Sequence, residues 1–352
     1  MNTYDAGHPP TSILHGGDLR EAENRFGRPS DGWIDMSTGI NPWAYAFDAP
    51  NDDVWRRLPD AGAHNDLIQA ARQYYGVDMS RAREISLIAA PGTQALIQWL
   101  ARLRPVGRVG VVSPTYGEHA LVWRRAGHRV DLLNIPEDGL DDCAVIVVVN
   151  PNNPDGRVWA VERLAALGEA LSAQGRWLIV DEAFADMTPE CSIIGRHDHR
   201  GVIVLRSFGK FFGLAGLRLG FAVAGRPICT GLSEALGPWH ISGPALAIGR
   251  QALSDTRWIA DTRARLKDSA LRLDAILGAA GLVPVGGTDL FRLARVPQVA
   301  RVPQASSVFA ALARAGILVR RFDDHGDWLR FGLPGAPGQW SRFEKALHAA
   351  LF

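Results

Sequence analysis

A lysine lies in an apolar, glycine-rich stretch of the chain, residues 207–221 (SFGKFFGLAGLRLGF). The sequence has 38 basic residues, but only Lys210, Lys267 and Lys345 are lysines. Arginine keeps its proton in proteins, whereas desolvation lowers the pKa of a lysine amine, which can then form a Schiff base with a carbonyl. Lys210 is flanked by phenylalanine and glycine and is therefore a candidate nucleophile. The alternative is a lysine that reaches solvent from a strand end.

Two side chains near Lys210 could bind an anion. Ser207 precedes the lysine by three residues and Arg218 follows it by eight, with Gly213 and Gly216 between them. The glycines leave the backbone free to bring a hydroxyl and a guanidinium onto one anion. A Schiff-base lysine beside a phosphate site indicates pyridoxal phosphate as the cofactor.

The composition narrows the class of protein. A chain of 352 residues predicts one large domain plus a smaller one, and 47% hydrophobic with 21% charged residues is typical of soluble globular proteins. A formal charge of +1 provides no basic field for nucleic acid or a membrane surface. The three cysteines are far apart and form no metal-binding pattern. We expect a cytoplasmic protein, because the N-terminus lacks a signal-peptide pattern and no apolar run approaches about 20 residues.

Strand and helix patterns alternate from residue 85 to residue 207. A first short strand begins at Ile85, and a helix over 65–75 precedes it. The later predicted strands are Val109–Ser113, Arg129–Asn134, Cys143–Val149, Trp177–Val180 and Val202–Arg206. Alternation of this kind predicts an α/β sheet covered by helices on both sides, with the ligand outside the C-terminal ends of the strands.

Polar residues follow several of these predicted strands. They are Tyr116, Asn153, Asp181 and Ser207. Taken singly, Asn153 is also typical of a turn, Asp181 of a helix N-cap, and Tyr116 of a core aromatic. Taken together they suit one cofactor. A carboxylate can keep a pyridine nitrogen protonated, an amide can hold the ring oxygen, and an aromatic side chain can stack on the ring.

The turn Pro91-Gly92 leads from the first strand into a helix that starts near Thr93 and Gln94. Backbone N–H groups and the helix dipole make such a start a site for phosphate. The signal is weak alone, because Thr93 is also a good N-cap.

The two ends of the chain differ from this central part. Residues 1–50 are too rich in glycine and proline for regular structure, and we expect an arm that packs on the body or on a partner subunit. Residues 51–250 are predicted to form the large domain. Residues 251–352 are predicted to form a small α+β domain with helices over 256–277, 306–315 and 338–351 and strands within 281–293, 317–321 and 328–333. Arg330, flanked by apolar residues, is the arginine most suited to point inward and bind a carboxylate or phosphate.

Four motifs together resemble the fold-type I pyridoxal-phosphate enzymes of the aminotransferase superfamily. They are Asn153-Pro154-Asp155-Gly156, Asp181-Glu182-Ala183-Phe184, Ser207-Phe208-Gly209-Lys210 and Arg218. The resemblance covers essentially the whole chain. It implies an aspartate aminotransferase-like α/β fold, with a large domain around a mostly parallel sheet and a smaller α+β domain.

Within that superfamily, further motifs look like the threonine-phosphate decarboxylases of cobalamin biosynthesis, with histidinol-phosphate aminotransferases as the nearest relatives. These motifs lie at residues 15–18 (HGGD), 37–43 (STGINPW), 90–97 (APGTQALI) and 206–218 (RSFGKFFGLAGLR).

The resemblance implies a Schiff base of pyridoxal 5'-phosphate on Lys210, with Asp181 at the ring nitrogen and Tyr116 at the ring face as the other catalytic groups. The residues implied for the cofactor phosphate are Gly92, Thr93, Gln94, Ser207 and Arg218. Asn153 is implied at the ring oxygen and near substrate. Arg330 is implied for the substrate carboxylate. The residues implied near the substrate phosphate are Arg320, Asn41, His15, Gly16 and Gly17.

The sequence departs from its relatives at two positions. Leu58 stands before Pro59 where many relatives have a tyrosine that reaches the neighbouring subunit's cofactor, which leaves that contact open but not the homodimer. Phe184 stands where aminotransferases commonly have tyrosine, and it removes a hydrogen bond to the ring oxygen. This second change is compatible with a decarboxylase.

The expected reaction is decarboxylation of L-threonine O-3-phosphate to (R)-1-amino-2-propanol O-2-phosphate. Which bond at Cα breaks depends on which one is perpendicular to the cofactor ring. The alternative is an aminotransferase for histidinol phosphate or a similar phosphorylated amine. A regulator on the same fold would normally carry a DNA-binding domain, whereas this chain begins with the arm. A nicotinamide enzyme is excluded because no Gly-x-Gly-x-x-Gly follows the early strands.

Overall fold

A computed structural model describes residues 16–78, 80, 84–196, 200–298 and 303–352. The chain divides into two compact units. Among the described residues, the first unit comprises Tyr45–Asn153 and Val158–Thr256, and the second comprises residues 16–44, Pro154–Arg157 and Arg257–Phe352. The expected boundaries near residues 50 and 250 stay a prediction.

The described residues form helices and strands that we number in chain order. The helices are α1 Leu19–Phe26, α2 Asp53–Arg56, α3 Ala61–Tyr75, α4 Thr93–Leu103, α5 Glu118–Arg125, α6 Val161–Ser172, α7 Phe208–Phe211, α8 Arg226–Leu236, α9 Gly243–Ser254, α10 Thr256–Ala279, α11 Ala305–Arg314 and α12 Pro337–Leu351. The strands are β1 Ile34–Asp35, β2 Ile85–Ala90, β3 Arg108–Val112, β4 Arg129–Leu133, β5 Val145–Val149, β6 Trp177–Asp181, β7 Val202–Ser207, β8 Gly220–Gly225, β9 Val283–Thr288, β10 Phe291–Arg295, β11 Ile317–Leu318, β12 Arg320–Arg321 and β13 Trp328–Gly332.

The first unit contains a seven-stranded sheet in the order β2-β8-β7-β6-β5-β3-β4. The strands from β7 to β4 are parallel, and β8 runs antiparallel to both β2 and β7. Every residue of β5 is buried, as expected for an apolar strand inside a sheet that helices cover on both faces. The predicted α/β class with a mostly parallel sheet is confirmed.

Local sequence signals fix the helix ends that position the sheet. Asp60 accepts a hydrogen bond from the Ala63 N–H and starts α3 four residues before the predicted start. Gly76 ends the same helix in the left-handed conformation. In the part of the chain that the structure describes, no helix is long and apolar enough to cross a bilayer.

The prediction that residues 1–50 lack regular structure is wrong for α1. Asp18 accepts a hydrogen bond from the Glu21 N–H at the helix start, and Gly27 follows the last residue. The eight residues between them contain neither glycine nor proline, so the local sequence permits a helix although the region as a whole is rich in both.

The second unit contains two small sheets. The larger one has the strand order β12-β13-β10-β9, and each pair of neighbouring strands in it is antiparallel. The smaller one pairs β1 with β11 in parallel. The run predicted as one strand over 281–293 is the β9–β10 hairpin, and 317–321 divides into β11 and β12. Residues 299–302, between β10 and α11, lie outside the described residues.

A buried ion network lies at the ends of β6 and β7. Arg206 donates to Glu182 at 2.7 Å and to Asp186 at 2.5 Å, and its guanidinium lies 4.7 Å from the ring centroid of Tyr75. Burial raises the pKa of Glu182, although the Arg206 charge and a hydrogen bond from Ser192 oppose that rise. The guanidinium and the two carboxylates therefore stabilise one another at the turns after these strands, and removing the guanidinium would leave two buried negative charges.

We expect Arg206→Leu to lower the free energy of unfolding by about 3–5 kcal/mol, because two buried carboxylates would lose their cation. Urea unfolding followed by circular dichroism measures this loss. The matched control is Arg163→Leu, which removes a two-pronged ion pair with Glu137 near the surface and should have a much smaller effect. Equal losses in both variants would contradict a special contribution from the buried network.

Candidate active site

The register of the central sheet brings the ends of four strands together. Val149 pairs with Asp181, and Asp181 pairs with Leu205 on the next strand. Ser207 and Ala90 both pair with Gly220, one on each side of β8. The segments that follow β2, β5, β6 and β7 therefore begin at the same edge of the sheet, which is where an α/β sheet places its ligand.

Asp181 is buried at this edge and held by two hydrogen bonds. Its Oδ2 lies 2.9 Å from Nε2 of the buried His119, and its Oδ1 accepts from the Ala183 N–H at 3.1 Å. Because a carboxylate only accepts, we place the proton of the histidine on Nε2. The alternative of a helix N-cap is wrong for Asp181, because a turn and not a helix follows it. One carboxylate oxygen binds this turn at Ala183, and the other binds His119. His119 was not among the predicted site residues, because nothing in its local sequence points to strand β6.

Lys210 lies in the short helix α7 among aromatic rings. Phe208 and Phe212 stack with ring centroids 4.5 Å apart, and Phe211 is fully buried. The Lys210 amine lies 5.7 Å from the ring centroid of Phe184, and the lysine is half-buried. Lys210 is therefore not a fully exposed side chain, and its position beside these rings is compatible with a candidate nucleophile.

The start of α4 forms a cradle with Arg218. A Cβ added at Gly92, where φ is +83°, would lie 2.6 Å from Nη2 of Arg218. A Cβ added at Gly220 would lie 2.6 Å from the Thr93 backbone nitrogen. Only glycine at both positions permits these approaches. The first N–H groups of a helix have no partner within that helix, and here they lie beside a guanidinium, which favours an anion.

Thr93 and Ser207 complete this cradle. Gly92 is the N-cap and Thr93 the first helical residue, and within the described residues no side chain caps this helix start. The alternative in which Thr93 serves as the N-cap is wrong. Ser207 ends β7 directly beside Gly220, so its hydroxyl belongs to the same edge of the sheet. These donors fit a phosphate group.

Tyr116 and Gln94 form part of the same site. The half-buried Tyr116 donates its hydroxyl to Oε1 of Gln94 at 3.5 Å, and Nε2 of Gln94 donates to Glu118 at 2.9 Å. The Tyr116 ring meets the His119 ring edge to face, with centroids 5.9 Å apart and planes 87° apart. Glu118 was not among the predicted site residues, because an acidic residue at the start of a helix is common and does not by itself indicate a site.

The segment that carries Asn153 is attached to the loop after β3. The side chain of Asn152 accepts from the Thr115 hydroxyl at 2.6 Å and donates to the Pro114 carbonyl at 2.8 Å. Asn153 itself is half-buried at the sheet edge. Asn153 therefore lies in a turn, as the alternative interpretation expected, and the contacts of Asn152 hold this turn beside the loop that carries Tyr116.

In the second unit, Arg330 is buried, with 6% of its surface exposed. It donates to the Ser37 carbonyl at 2.8 Å, lies 4.9 Å from the ring centroid of Phe291, and pairs in register with Arg320 on the neighbouring strand. Burial and the positive charge of Arg320 lower the pKa of Arg330 to about 9, while Asp35 opposes the shift. Two adjacent guanidinium groups, one of them buried, favour an anionic ligand.

Ser37 connects Arg330 with the segment around Gly16 and Gly17. The Gly17 N–H donates to the Ser37 hydroxyl at 2.8 Å, and a Cβ added at Gly16 would lie 2.4 Å from the Ser37 carbonyl oxygen. Asn41 is buried nearby in sequence, and its side-chain oxygen accepts from the Trp43 N–H at 2.9 Å. The structure therefore brings Gly16 and Gly17 to Arg330, while Asn41 caps a turn. His15 lies outside the described residues.

Comparison with known proteins identifies the family. Residues 43–340 match the family model described as aminotransferase class I and II. The chain belongs to this family.

Two relatives match this member of the aminotransferase class I and II family over almost its full length. Threonine-phosphate decarboxylase of Pseudomonas aeruginosa is 44% identical over 337 residues, which cover 95% of this chain and 97% of the relative. Threonine-phosphate decarboxylase of a Sinorhizobium species is 43% identical over 330 residues, which cover 93% of this chain and 95% of the relative.

Solved structures of the family share the fold. Histidinol-phosphate aminotransferase from Sinorhizobium meliloti in complex with pyridoxal-5'-phosphate superposes with a TM-score of 0.78 at 19% identity, covering 99% of this chain and 98% of that one. L-threonine-O-3-phosphate decarboxylase from Porphyromonas gingivalis superposes with a TM-score of 0.72 at 20% identity, covering 89% and 98%. The expected fold-type I architecture is confirmed.

The two expected departures from the family pattern lie in different surroundings. Leu58 is 67% exposed, so it adds an apolar side chain to the surface of the first unit. Phe184 is buried, and its ring faces the Lys210 amine. An apolar ring therefore occupies position 184, with its centroid 5.7 Å from the amine of the candidate nucleophile.

We expect Arg330→Met to raise the free energy of unfolding by about 1 kcal/mol, because a buried cation would be replaced by an apolar side chain. Thermal unfolding of the protein without added ligand measures this change. The matched control is Arg292→Met on β10, where Arg292 donates to Asp274 through two nitrogens at 2.7 and 3.0 Å. The control variant should be less stable than the parent. A clear loss of stability in Arg330→Met would contradict the prediction and show that the contacts of this arginine with Ser37 and Phe291 outweigh the cost of burying its charge.

Proposed function

We propose that this chain is a pyridoxal-phosphate-dependent decarboxylase. Its substrate is L-threonine O-3-phosphate and its product is (R)-1-amino-2-propanol O-2-phosphate, an intermediate for cobalamin. The geometric observation that carries the cofactor is the contact of Arg218 with the glycine at the start of α4, at the sheet edge that also holds Asp181 and Lys210. The substrate is supported by the relatives named threonine-phosphate decarboxylase, which match nearly the whole chain.

The residues present fit pyridoxal phosphate. A glycine-lined cradle with helix N–H groups, two hydroxyls and a guanidinium suits a phosphate dianion. A buried carboxylate suits a protonated pyridine nitrogen, and a half-buried lysine suits an aldehyde. We assign the phosphate to the cradle residues, namely Gly92, Thr93, Gln94, Ser207 and Arg218.

The other first-unit residues predicted to contact the cofactor each have a definite function in this proposal. When bound, the cofactor supplies an aldehyde that reacts with amines and a ring that withdraws electrons from Cα. Asp181, fixed by His119, would keep the ring nitrogen protonated. Asn153 would bind the ring oxygen, and Tyr116 would cover a face of the ring. Lys210 would hold the cofactor through its aldehyde and, as an amine, could supply a proton at the substrate Cα.

Substrate binding decides the reaction. We assign the carboxylate to Arg330, and the substrate phosphate to Arg320 with Gly16, Gly17 and His15. Asn41 and Asn153 complete the assignment as substrate-binding residues. By holding both anionic groups, these residues would orient the substrate and favour loss of its carboxylate.

The second candidate is an aminotransferase for histidinol phosphate or a similar amine. A histidinol-phosphate aminotransferase of Symbiobacterium thermophilum is 32% identical over 276 residues, which cover 74% of each chain. An aminotransferase needs the same lysine, carboxylate and cradle, but it must break the Cα–H bond and needs a keto acid to complete its cycle.

Release of carbon dioxide from carboxyl-labelled threonine phosphate, with no keto acid present, tests the proposal. We expect turnover by the parent enzyme and a loss of at least about a hundredfold in Lys210→Arg, because arginine neither binds the aldehyde nor transfers the proton. The exposed Lys267→Arg is the matched control and should keep full turnover. Turnover that requires 2-oxoglutarate would support the aminotransferase, and an active Lys210→Arg would overturn both candidates.

We also propose a cytoplasmic homodimer. Several large apolar side chains of the first unit are exposed, among them Trp55 at 66%, Leu58 at 67% and Trp239 at 60%. Trp239 and Pro59, the neighbour of Leu58, line one cavity of about 580 Å³. An apolar surface of this kind supports an interface with a second copy of the chain.

We expect the double variant Leu58→Glu and Trp239→Glu to weaken dimerisation at least about tenfold, because two charges would enter an apolar interface. Analytical ultracentrifugation over a range of concentrations measures the dissociation constant. The matched control is Leu132→Glu, which changes a side chain of similar exposure, 60%, on the edge strand β4. A monomeric parent protein, or equal weakening in the control, would contradict the assigned surface.

A further inference from the structure

Glu118 is a buried acid for which the proposed reaction has no use. It is the first residue of α5, and only 8% of its surface is exposed. Its Oε2 accepts a hydrogen bond from Nε2 of Gln94 at 2.9 Å. Burying a carboxylate costs free energy unless its oxygens are bonded, so the contact with Gln94 needs an explanation.

A favourable interaction with the helix dipole does not provide that explanation. Glu162 lies in the first turn of α6, where it meets the same positive end of a helix, and it is exposed. Glu118 is buried instead, and it is directed at a residue of the phosphate cradle. The position of Glu118 at a helix start therefore does not explain its burial, and we attribute the burial to its contact with Gln94.

The contact determines how the Gln94 amide is oriented. An amide has a donor side and an acceptor side, and either could face a given neighbour. A carboxylate can only accept, so Glu118 fixes the NH2 group towards itself. The amide oxygen then faces the hydroxyl of Tyr116 at 3.5 Å, and that hydroxyl must be the donor.

The fixed hydroxyl in turn holds the Tyr116 ring. The ring stands edge to face on His119, which binds Asp181. Glu118, Gln94 and Tyr116 thus form a hydrogen-bonded chain that ends at the ring contact with the His119–Asp181 pair. All members of this chain are side chains of the first unit.

We propose that Glu118 is a positioning residue that acts through Gln94 to fix the ring and hydroxyl of Tyr116. Removal of its charge lets the amide turn and lets the tyrosine ring move. The proposal rests on the proposed function only for the identity of the ligand that Tyr116 contacts. The hydrogen-bonded chain itself is a property of the protein alone.

The first experiment uses the cofactor-free protein. Labelling with 3-fluorotyrosine gives one fluorine signal for each of five tyrosines, and Tyr116→Phe identifies the signal of Tyr116. We expect Glu118→Gln to shift or split this signal. The matched control Glu162→Gln should leave it unchanged. An unchanged Tyr116 signal in folded Glu118→Gln, or an equal shift in the control, would overturn the proposal.

The second experiment is a double-mutant cycle on the affinity for pyridoxal phosphate. We expect Glu118→Gln to raise the dissociation constant about tenfold in the parent and less than about twofold in the Tyr116→Phe background. Equal changes in both backgrounds would overturn the proposed route through Tyr116. If the parent does not bind pyridoxal phosphate, the proposed function fails, whereas the fluorine experiment still decides the positioning function of Glu118.

Discussion

The candidate site depends on the close approach of two backbone segments. The start of α4 and strand β8 come so near that a Cβ at Gly220 would lie 2.6 Å from the Thr93 nitrogen. The same approach lets the guanidinium of Arg218 lie against Gly92. Because β8 is inserted antiparallel between β2 and β7, this contact also places Ser207 at the cradle. A larger side chain at either glycine would separate the donors that an anion needs together.

Consecutive residues at the strand ends serve different purposes. Asp181 and Ser207 belong to the candidate site, whereas the adjacent Glu182 and Arg206 form the buried ion network. Side chains alternate in direction along a strand, so neighbouring residues reach opposite sides of it. One strand end can therefore present chemistry on one side and be held by a salt bridge on the other. The same strand ends therefore carry both the candidate site and the buried ion network.

Much of the first unit could be predicted from the sequence, because its signals are local. The apolar run of β5 and the residues that follow each strand lie next to each other in the chain, and strand direction alone brings their ends together. His119 and Glu118 could not be predicted, since their partners lie on other elements and depend on the packing of α5. The helix α1 was missed because the glycine content of its surroundings outweighed the cap at Asp18.

The residues around Lys210 do not separate a decarboxylase from an aminotransferase, because both reactions need the same lysine, carboxylate and phosphate cradle. In the proposed function the choice between them depends on how substrate is held, and we assign its carboxylate to Arg330. Burial and the charge of Arg320 lower the pKa of Arg330 to about 9, and an anion beside it would oppose that shift. Phe184 differs from the shared residues of the first unit, because aminotransferases commonly have tyrosine at this position. Its ring lies near the Lys210 amine and has no hydroxyl, so it can contact the amine or a cofactor ring only through its apolar edge or its π face.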